Sequence, residues 1–154
     1  MIKMNNYMKR MIRGKKILGS GGTRVVYDLD NGYVIKIAKS QKGIRCNKME
    51  VTLYRSSPNA IKKYFAPIIN YDKVYRWLIM KKYIQKFPSD SLIYKRQLRQ
   101  LVKKFLDQGI IPSKGIGRYY NPYAPNLRLK HLRLKGSKQI VVIDYGGFKY
   151  AHKS

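Results

Sequence analysis

Hydrophobic and polar positions in the first part of the chain follow a pattern that predicts short β-strands. Two β-rich runs, residues 24–29 and 33–38, flank Asp30-Asn31-Gly32. Asn-Gly is a strong hairpin signal because both central residues of a type I′ turn need positive φ. Residues 15–20 form a further run before a glycine-rich segment, so the pattern predicts an antiparallel meander over residues 15–39.

The middle of the chain predicts a helix followed by a second pair of strands. Apolar side chains recur at helical spacing over residues 44–56, and Ser56-Ser57-Pro58 supplies a stop. Residues 68–71 and 74–83 then have the composition of strands. Within the second of these, Trp77-Leu78-Ile79-Met80 is a continuous apolar run typical of a buried strand.

The second half of the chain contains the clearest amphipathic pattern. N-cap candidates in Ser89-Asp90-Ser91 precede a helix that Gly109 stops. The apolar face of this helix is expected to pack in the core. The other face is either solvated or contacts a polyanion. Its basic residues are Lys95, Arg96, Arg99, Lys103 and Lys104. Two strands are predicted over residues 127–134 and 139–143.

The charge of the chain indicates a negatively charged partner. Lys and Arg number 34 against 7 Asp and Glu, for a formal net charge of +27. The excess is spread along the chain, with +15 in residues 1–83 and +12 in residues 84–154. Because phosphate neutralisation by basic side chains drives non-specific affinity, nucleic acid is the leading expectation. Acidic protein surfaces and anionic membranes are the alternatives.

The remaining composition predicts a cytoplasmic protein. The single cysteine, Cys46, excludes an intrachain disulfide, and no apolar run approaches membrane-spanning length. His131 and His152 give no zinc constellation with Cys46. Both histidines are expected to be solvent-facing polar residues, since no Ser, Cys or carboxylate partner stands at a recognisable spacing.

Two isolated charges point to a buried ion pair. Lys36 lies within the apolar run Val34-Ile35-Lys36-Ile37, and Glu50, the only glutamate of the chain, lies beside the apolar stripe of the predicted helix. Because burying either charge alone is costly, a Lys36–Glu50 pair is predicted. The glycine-rich turn Gly19-Ser20-Gly21-Gly22 would let backbone N–H groups approach phosphates, although such a turn by itself is more often only a flexible hairpin.

Taken in order, these motifs resemble those of the protein-kinase-like superfamily. The glycine-rich turn, strand lysine and helix glutamate are followed by an apolar strand like the one that enters the hinge, and Asp144-Tyr145-Gly146 resembles the Asp-Phe-Gly turn. The resemblance implies an α+β, minimal two-lobed kinase-like fold. It implies an antiparallel N-lobe sheet in residues 1–83 and a reduced helical C-lobe in residues 84–154.

The resemblance also implies a site for ATP and Mg²⁺. Lys36 would orient the phosphates, and Asn126 and Asp144 would hold the metal, with Asn126 ending the catalytic loop where it runs into the next strand. The implied nucleotide-binding residues are Gly19, Ser20, Gly21, Gly22, Val26, Lys36, Glu50 and Met80.

Departures from the family pattern predict a degenerate, pseudokinase-like site. Asn121 stands where the catalytic Asp is expected, and an amide cannot accept a proton as a carboxylate can. Arg24 replaces the third glycine of the loop, where it is expected to alter nucleotide closure or to contact an anion. Only residues 148–154 follow the Asp144 turn, so an ordinary protein-substrate platform is not expected.

The expected function is therefore ATP binding by a kinase-like protein whose basic surface engages a polyanion or an acidic partner, with phosphoryl transfer weak or absent. The alternative is a nucleic-acid-binding or host-interaction protein that keeps the kinase-like scaffold and does not use ATP.

Overall fold

The computed structural model describes residues 2–112, 129–136 and 138–151, which divide into two compact units. The first unit comprises the described residues within 1–56 and 66–82, and the second comprises those within 57–65 and 83–154. The predicted domain boundary after residue 83 stays a prediction.

The first unit is an antiparallel sheet with helices. Its strands pair in the order β1-β2-β3-β5-β4. The elements are helix α1 (Asn6–Ile12), strands β1 (Ile17–Ser20), β2 (Arg24–Asp28) and β3 (Tyr33–Ala38), helix α2 (Gln41–Ser56), and strands β4 (Ile68–Tyr71) and β5 (Trp77–Lys81).

The hairpin between β2 and β3 forms where it was predicted, but its turn is of another kind. Positive φ occurs at Asp30 and Gly32, at 63° and 88°, and not at Asn31. The Asn31 side chain instead accepts a hydrogen bond from the Tyr33 N–H at 3.2 Å, and the Asp28 carboxylate accepts one from the Asp30 N–H at 2.9 Å. Local side-chain bonds of this kind stabilise turns without requiring the type I′ geometry.

One sheet face packs on α1, a helix that the sequence analysis did not predict. Met8 of α1 is fully buried in a cluster with Ile35, Ile37 and Trp77. The Asn5 side chain caps the helix by accepting a hydrogen bond from the Met8 N–H at 2.9 Å. Because strand side chains alternate between faces, Ile35 and Ile37 on this face leave Lys36 on the opposite one.

Helix α2 begins at Gln41, three residues before the predicted start. Ser40 explains the difference, because its hydroxyl accepts a hydrogen bond from the Gly43 N–H at 3.3 Å and acts as an N-cap. Gly43 itself is buried where the helix approaches the β2 and β3 strands. A Cβ at this position would lie 2.1 Å from the Thr23 carbonyl oxygen and 3.1 Å from the Ala38 Cβ.

The Gly43→Ala variant is expected to lower the free energy of unfolding by about 1 to 3 kcal/mol, because the added methyl group overpacks this contact. Urea unfolding followed by circular dichroism measures the change. Gly22→Ala is the matched control, since a Cβ there meets nothing within 4 Å, and its change is expected to stay within about 0.5 kcal/mol. Equal stability of the two variants would contradict the close approach of α2.

The second unit combines helices with short antiparallel strands. Its strands pair in the orders β6-β8-β9 and β10-β7. The elements are helix α3 (Asn59–Lys62), strand β6 (Gln85–Lys86), helix α4 (Leu92–Asp107), strand β7 (Ile110–Ile111), a 3₁₀ turn (Leu129–His131), and strands β8 (Leu132–Lys135), β9 (Gln139–Val142) and β10 (Lys149–Tyr150).

Helix α4 confirms the amphipathic pattern. The Ser91 hydroxyl caps it by accepting a hydrogen bond from the Tyr94 N–H at 3.3 Å, and Gly109 follows its end with a φ of 73°. Phe105 of this helix stacks on Phe65 with ring centroids 5.2 Å apart. Tyr145 and Phe148 complete this aromatic core of the second unit.

The strand predicted over residues 127–134 begins later than expected. Leu129–His131 form a 3₁₀ turn, and β8 starts only at Leu132. The predicted strand over residues 74–83 is likewise shorter, because Tyr75 has a φ of 62° and stands in the turn before β5. The predicted α+β class is confirmed by both units. No helix among the described residues is long and apolar enough to cross a membrane.

Candidate functional site

The predicted pairing of Lys36 with Glu50 is confirmed. Lys36 stands in the centre of β3 and Glu50 in α2, and the lysine Nζ lies 3.0 and 3.1 Å from the two carboxylate oxygens. Glu50 is fully buried and Lys36 nearly so. The pair lies on the α2 side of the sheet, where each charge compensates the burial of the other.

Arg24 is a third member of this buried group, which the sequence analysis did not predict. Its guanidinium donates to Glu50 Oε1 at 2.6 Å and to Oε2 at 3.4 Å, and to the Asn47 side-chain oxygen at 3.0 Å. The anion that Arg24 contacts is thus Glu50. The register of β2 and β3 explains why Arg24 and Lys36 both reach Glu50. Arg24 lies opposite Ala38, and Val26 lies opposite Lys36. Arg24 and Lys36 are therefore diagonal neighbours on one sheet face.

The glycine-rich segment forms an exposed turn beside this buried group. Gly19 and Ser20 end β1, and Gly21 and Gly22 lead into β2. A Cβ added at any of the three glycines would meet nothing within 4 Å, so the backbone of the turn borders open space. Lys39 contacts the turn by donating to the Gly21 carbonyl oxygen at 2.8 Å.

These contacts bring several cations to one region of the first unit. Lys36, Arg24 and Lys39 contribute three positive charges, and Glu50 contributes one negative charge. The Gly21 N–H donates to the Arg24 carbonyl oxygen at 3.0 Å, so the excess positive charge beside the exposed turn is the feature of this region that suits phosphate. Lys39 was not predicted as part of this region. The only signal in the sequence was its position directly after the strand that contains Lys36.

The two apolar residues predicted to line the nucleotide site share the sheet face of Lys36. Val26 lies opposite Lys36 across β2 and β3, and Met80 lies opposite Val34 across β3 and β5. Met80 is almost completely buried. After β5, the Lys82 ammonium donates to the Asp28 carboxylate, and this hydrogen bond holds the pKa of Asp28 below its usual value.

Asp144 lies in the second unit, directly after β9 and Ile143. The next residue, Tyr145, is fully buried, and its ring centroid lies 4.4 Å from that of Phe65. The buried ring anchors the turn, while the Asp144 side chain is 36% exposed. A carboxylate oxygen in this position is a suitable ligand for a hard cation such as Mg²⁺.

His131 was expected to face solvent; its side chain is 26% exposed, and it has a carboxylate partner that the sequence spacing did not indicate. Its Nε2 lies 3.2 Å from Asp144 Oδ2, and its carbonyl oxygen accepts a hydrogen bond from the Ile143 N–H at 2.9 Å. The spacing did not reveal this pair because β8 and β9 form a hairpin between the two residues. A signal was present in the leucine pattern, since the alternation of Leu127 and Leu129 changes phase before Leu132 and Leu134.

The basic residues of α4 lie mainly on its exposed side. Lys103 pairs with Asp107 at 3.1 Å, and Lys104 donates to the Tyr64 hydroxyl at 3.1 Å. Asn121 and Asn126 lie outside the described residues, so their predicted roles stay predictions. Among the described residues, no three His, Cys, Asp or Glu side chains cluster in a way that could hold a metal ion by themselves.

Comparison with known proteins identifies the fold. No protein-family model and no curated protein matches the chain. It is similar to the Legionella pneumophila Lpg2603 kinase bound to IP6, with a TM-score of 0.57 and 18% identity, over 92% of this chain and 52% of that one. It is also similar to WbdD, described as a bifunctional kinase-methyltransferase. Two WbdD structures give TM-scores of 0.57 and 0.55, 14% and 15% identity, and 85% and 84% coverage of this chain.

These similarities confirm the protein-kinase-like fold that the motif order predicted. At these identities they concern the fold alone. The chain spans about half of the Lpg2603 kinase chain and 31% of each WbdD chain.

Proposed function

We propose that the chain binds ATP through the glycine turn and Lys36. The observation that carries the proposal is the buried Lys36–Glu50 ion pair next to the exposed Gly19–Gly22 turn, in a fold similar to that of solved kinases. In kinase-like folds this lysine contacts the nucleotide phosphates, and the helix glutamate holds it in place.

The metal that accompanies ATP would be held in the second unit by Asp144. Its partly exposed carboxylate fits a hard cation. The ion would neutralise charge that develops on the transferred phosphoryl group. Asn126 stays the second predicted metal residue.

Phosphoryl transfer is proposed to be weak or absent. The proposal rests on Asn121 at the position of the usual catalytic carboxylate. Positioning and electrostatics supply most of the catalysis of phosphoryl transfer, so loss of the base lowers turnover without removing the rest of the site.

A thermal unfolding experiment tests nucleotide binding. Mg-ATP at 100 times its dissociation constant is expected to stabilise the native state by about 2.7 kcal/mol, because binding to the folded form alone shifts the equilibrium. Lys36→Met and Asp144→Ala should each reduce the shift. Lys9→Met is the matched control, since it removes the same charge from the exposed side of α1, which packs on the opposite sheet face.

The strong positive charge requires one further control, because any anion could stabilise the chain. Magnesium tripolyphosphate carries the phosphates without the nucleoside, and its shift should be smaller than that of Mg-ATP. Equal shifts from the two compounds, or no shift at millimolar Mg-ATP, would favour the alternative of a scaffold that does not use ATP.

We also propose that the basic surface engages a polyanion, with nucleic acid first and an acidic protein second. The observation that favours this function is the net charge of +27 distributed over the whole chain. The exposed basic residues of α4 are the candidate contact face.

A further inference from the structure

The His131–Asp144 pair joins the end of the 3₁₀ turn to the Asp-Tyr-Gly turn. The two side chains meet through His131 Nε2 and Asp144 Oδ2 at 3.2 Å, and they are 26% and 36% exposed. The hydrogen bond from the Ile143 N–H to the His131 carbonyl oxygen fixes the two backbones beside each other. The pair is therefore held by a backbone hydrogen bond and is partly accessible to solvent.

The position of His131 along the chain is informative. In kinase-like folds the second metal-holding residue belongs to the catalytic loop, which runs into the strand before the Asp turn. The prediction of Asn126 for this role depended on a strand that starts at residue 127. The strand starts at Leu132, and the residue directly before it is His131.

The distance between the two donor atoms suits a shared cation. An octahedral ion with metal–ligand distances of about 2.1 Å places two adjacent ligands about 3.0 Å apart. The observed separation of 3.2 Å is that of an ion pair when the imidazole is protonated, so a bound cation would replace the proton on Nε2. Two protein ligands leave the other coordination positions to phosphate oxygens and water, as is usual for metal ions that bind together with nucleotides.

We propose that His131 and Asp144 together hold a divalent cation, and that the imidazole nitrogen makes the site prefer Mn²⁺ to Mg²⁺. Mg²⁺ selects oxygen ligands, whereas imidazole binds transition metals more strongly, and Mn²⁺ accepts both donor types. The proposal rests on the proposed ATP binding for the phosphate ligands, but the protein ligand pair is present without nucleotide.

The site is tested by pulsed electron paramagnetic resonance of Mn²⁺ bound to the full chain, at one fixed pH, with and without a non-hydrolysable ATP analogue. The expected spectrum contains the coupling of a directly bound imidazole nitrogen. Growth with ¹⁵N-histidine should change that coupling, which separates histidine from adenine nitrogen without any substitution.

Variants assign the nitrogen to one residue. His131→Asn should abolish the coupling and reduce the Mn²⁺ affinity by about tenfold or more, while Mg²⁺ affinity changes much less. The matched control is His152→Asn, since the chain has only these two histidines. Asn126→Ala tests the rival residue and should leave the nitrogen coupling in place.

Each outcome bears on a separate claim. Bound Mn²⁺ without nitrogen coupling, or no Mn²⁺ binding in either condition, would overturn the His131 site. Nitrogen coupling in a protein that Mg-ATP does not stabilise would support the His131 site and count against ATP binding.

Discussion

Replacing Glu50 with glutamine is expected to lower the free energy of unfolding by about 3 to 5 kcal/mol, because it removes the charge that faces two buried cations. Lys36 and Arg24 both contact this carboxylate, and Glu50 is fully buried. Glutamine keeps the size of the side chain, so the loss reports the charge and not a cavity. Urea unfolding, with the midpoint and the m-value both recorded, measures it.

Lys36→Met provides the control for this prediction. It removes one cation and leaves the Arg24–Glu50 contact, so Glu50 stays compensated and the cost should be smaller than that of Glu50→Gln. Equal losses in Glu50→Gln and Lys36→Met would contradict the three-residue arrangement. They would indicate that Arg24 contributes little.

A triple variant separates the effect of charge from that of packing. The variant combines Arg24→Met, Lys36→Met and Glu50→Leu. It removes all three charges and fills the space with apolar side chains. Buried ionic groups exchanged for apolar residues often leave stability unchanged or raised. The triple variant should therefore be more stable than Glu50→Gln, although it would lose the proposed phosphate contact of Lys36.

The sequence predicted the first unit well because its signals are local. A few consecutive residues are enough to recognise a hairpin turn, an alternating strand or an isolated lysine in an apolar run. The Lys36–Glu50 pair followed from the cost of burying single charges. Arg24 was harder, since its contact with Glu50 requires the β2–β3 register, and an arginine after a glycine turn is equally compatible with solvent exposure.

Helix α1 could not be predicted from the sequence for a different reason. It has only seven residues, and isolated helices of that length are marginal in water. Its formation depends on Met8 packing against Ile35, Ile37 and Trp77, which are distant in sequence. The Asn5 cap and the spacing of Met4, Met8 and Met11 were signals, but only the sheet makes the helix stable.

His131 was missed for a third reason. The run from Leu127 to Leu134 alternates apolar and basic residues over most of its length, so the pattern predicts one continuous strand. A 3₁₀ turn at Leu129–His131 interrupts it, and a change of phase moves every later side chain to the other face. The pairing with Asp144 then depends on the β8–β9 hairpin, which no fixed spacing reveals.

The affinity of the chain for a short RNA or DNA duplex is expected to fall by about 10³ to 10⁵ between 50 and 200 mM salt, if six to ten phosphates are neutralised. The reason is the net charge of +27, since each phosphate contact releases condensed counterions. Fluorescence anisotropy at several salt concentrations gives the slope of log affinity against log salt. Little preference between unrelated sequences is expected, because phosphate contacts carry no base information.

Two charge-reversal variants locate the contact face. In the first, the five basic residues of α4 are changed to Glu: Lys95, Arg96, Arg99, Lys103 and Lys104. The matched control reverses the charge of five exposed basic residues near the start of the chain: Lys3, Lys9, Arg10, Arg13 and Lys16. Both variants carry the same net charge, so a general field effect would flatten both slopes equally, whereas a specific contact on α4 flattens only the first. Binding that persists unchanged into high salt, or that is absent at low salt, would contradict the polyanion proposal, because counterion release would then contribute nothing to the affinity.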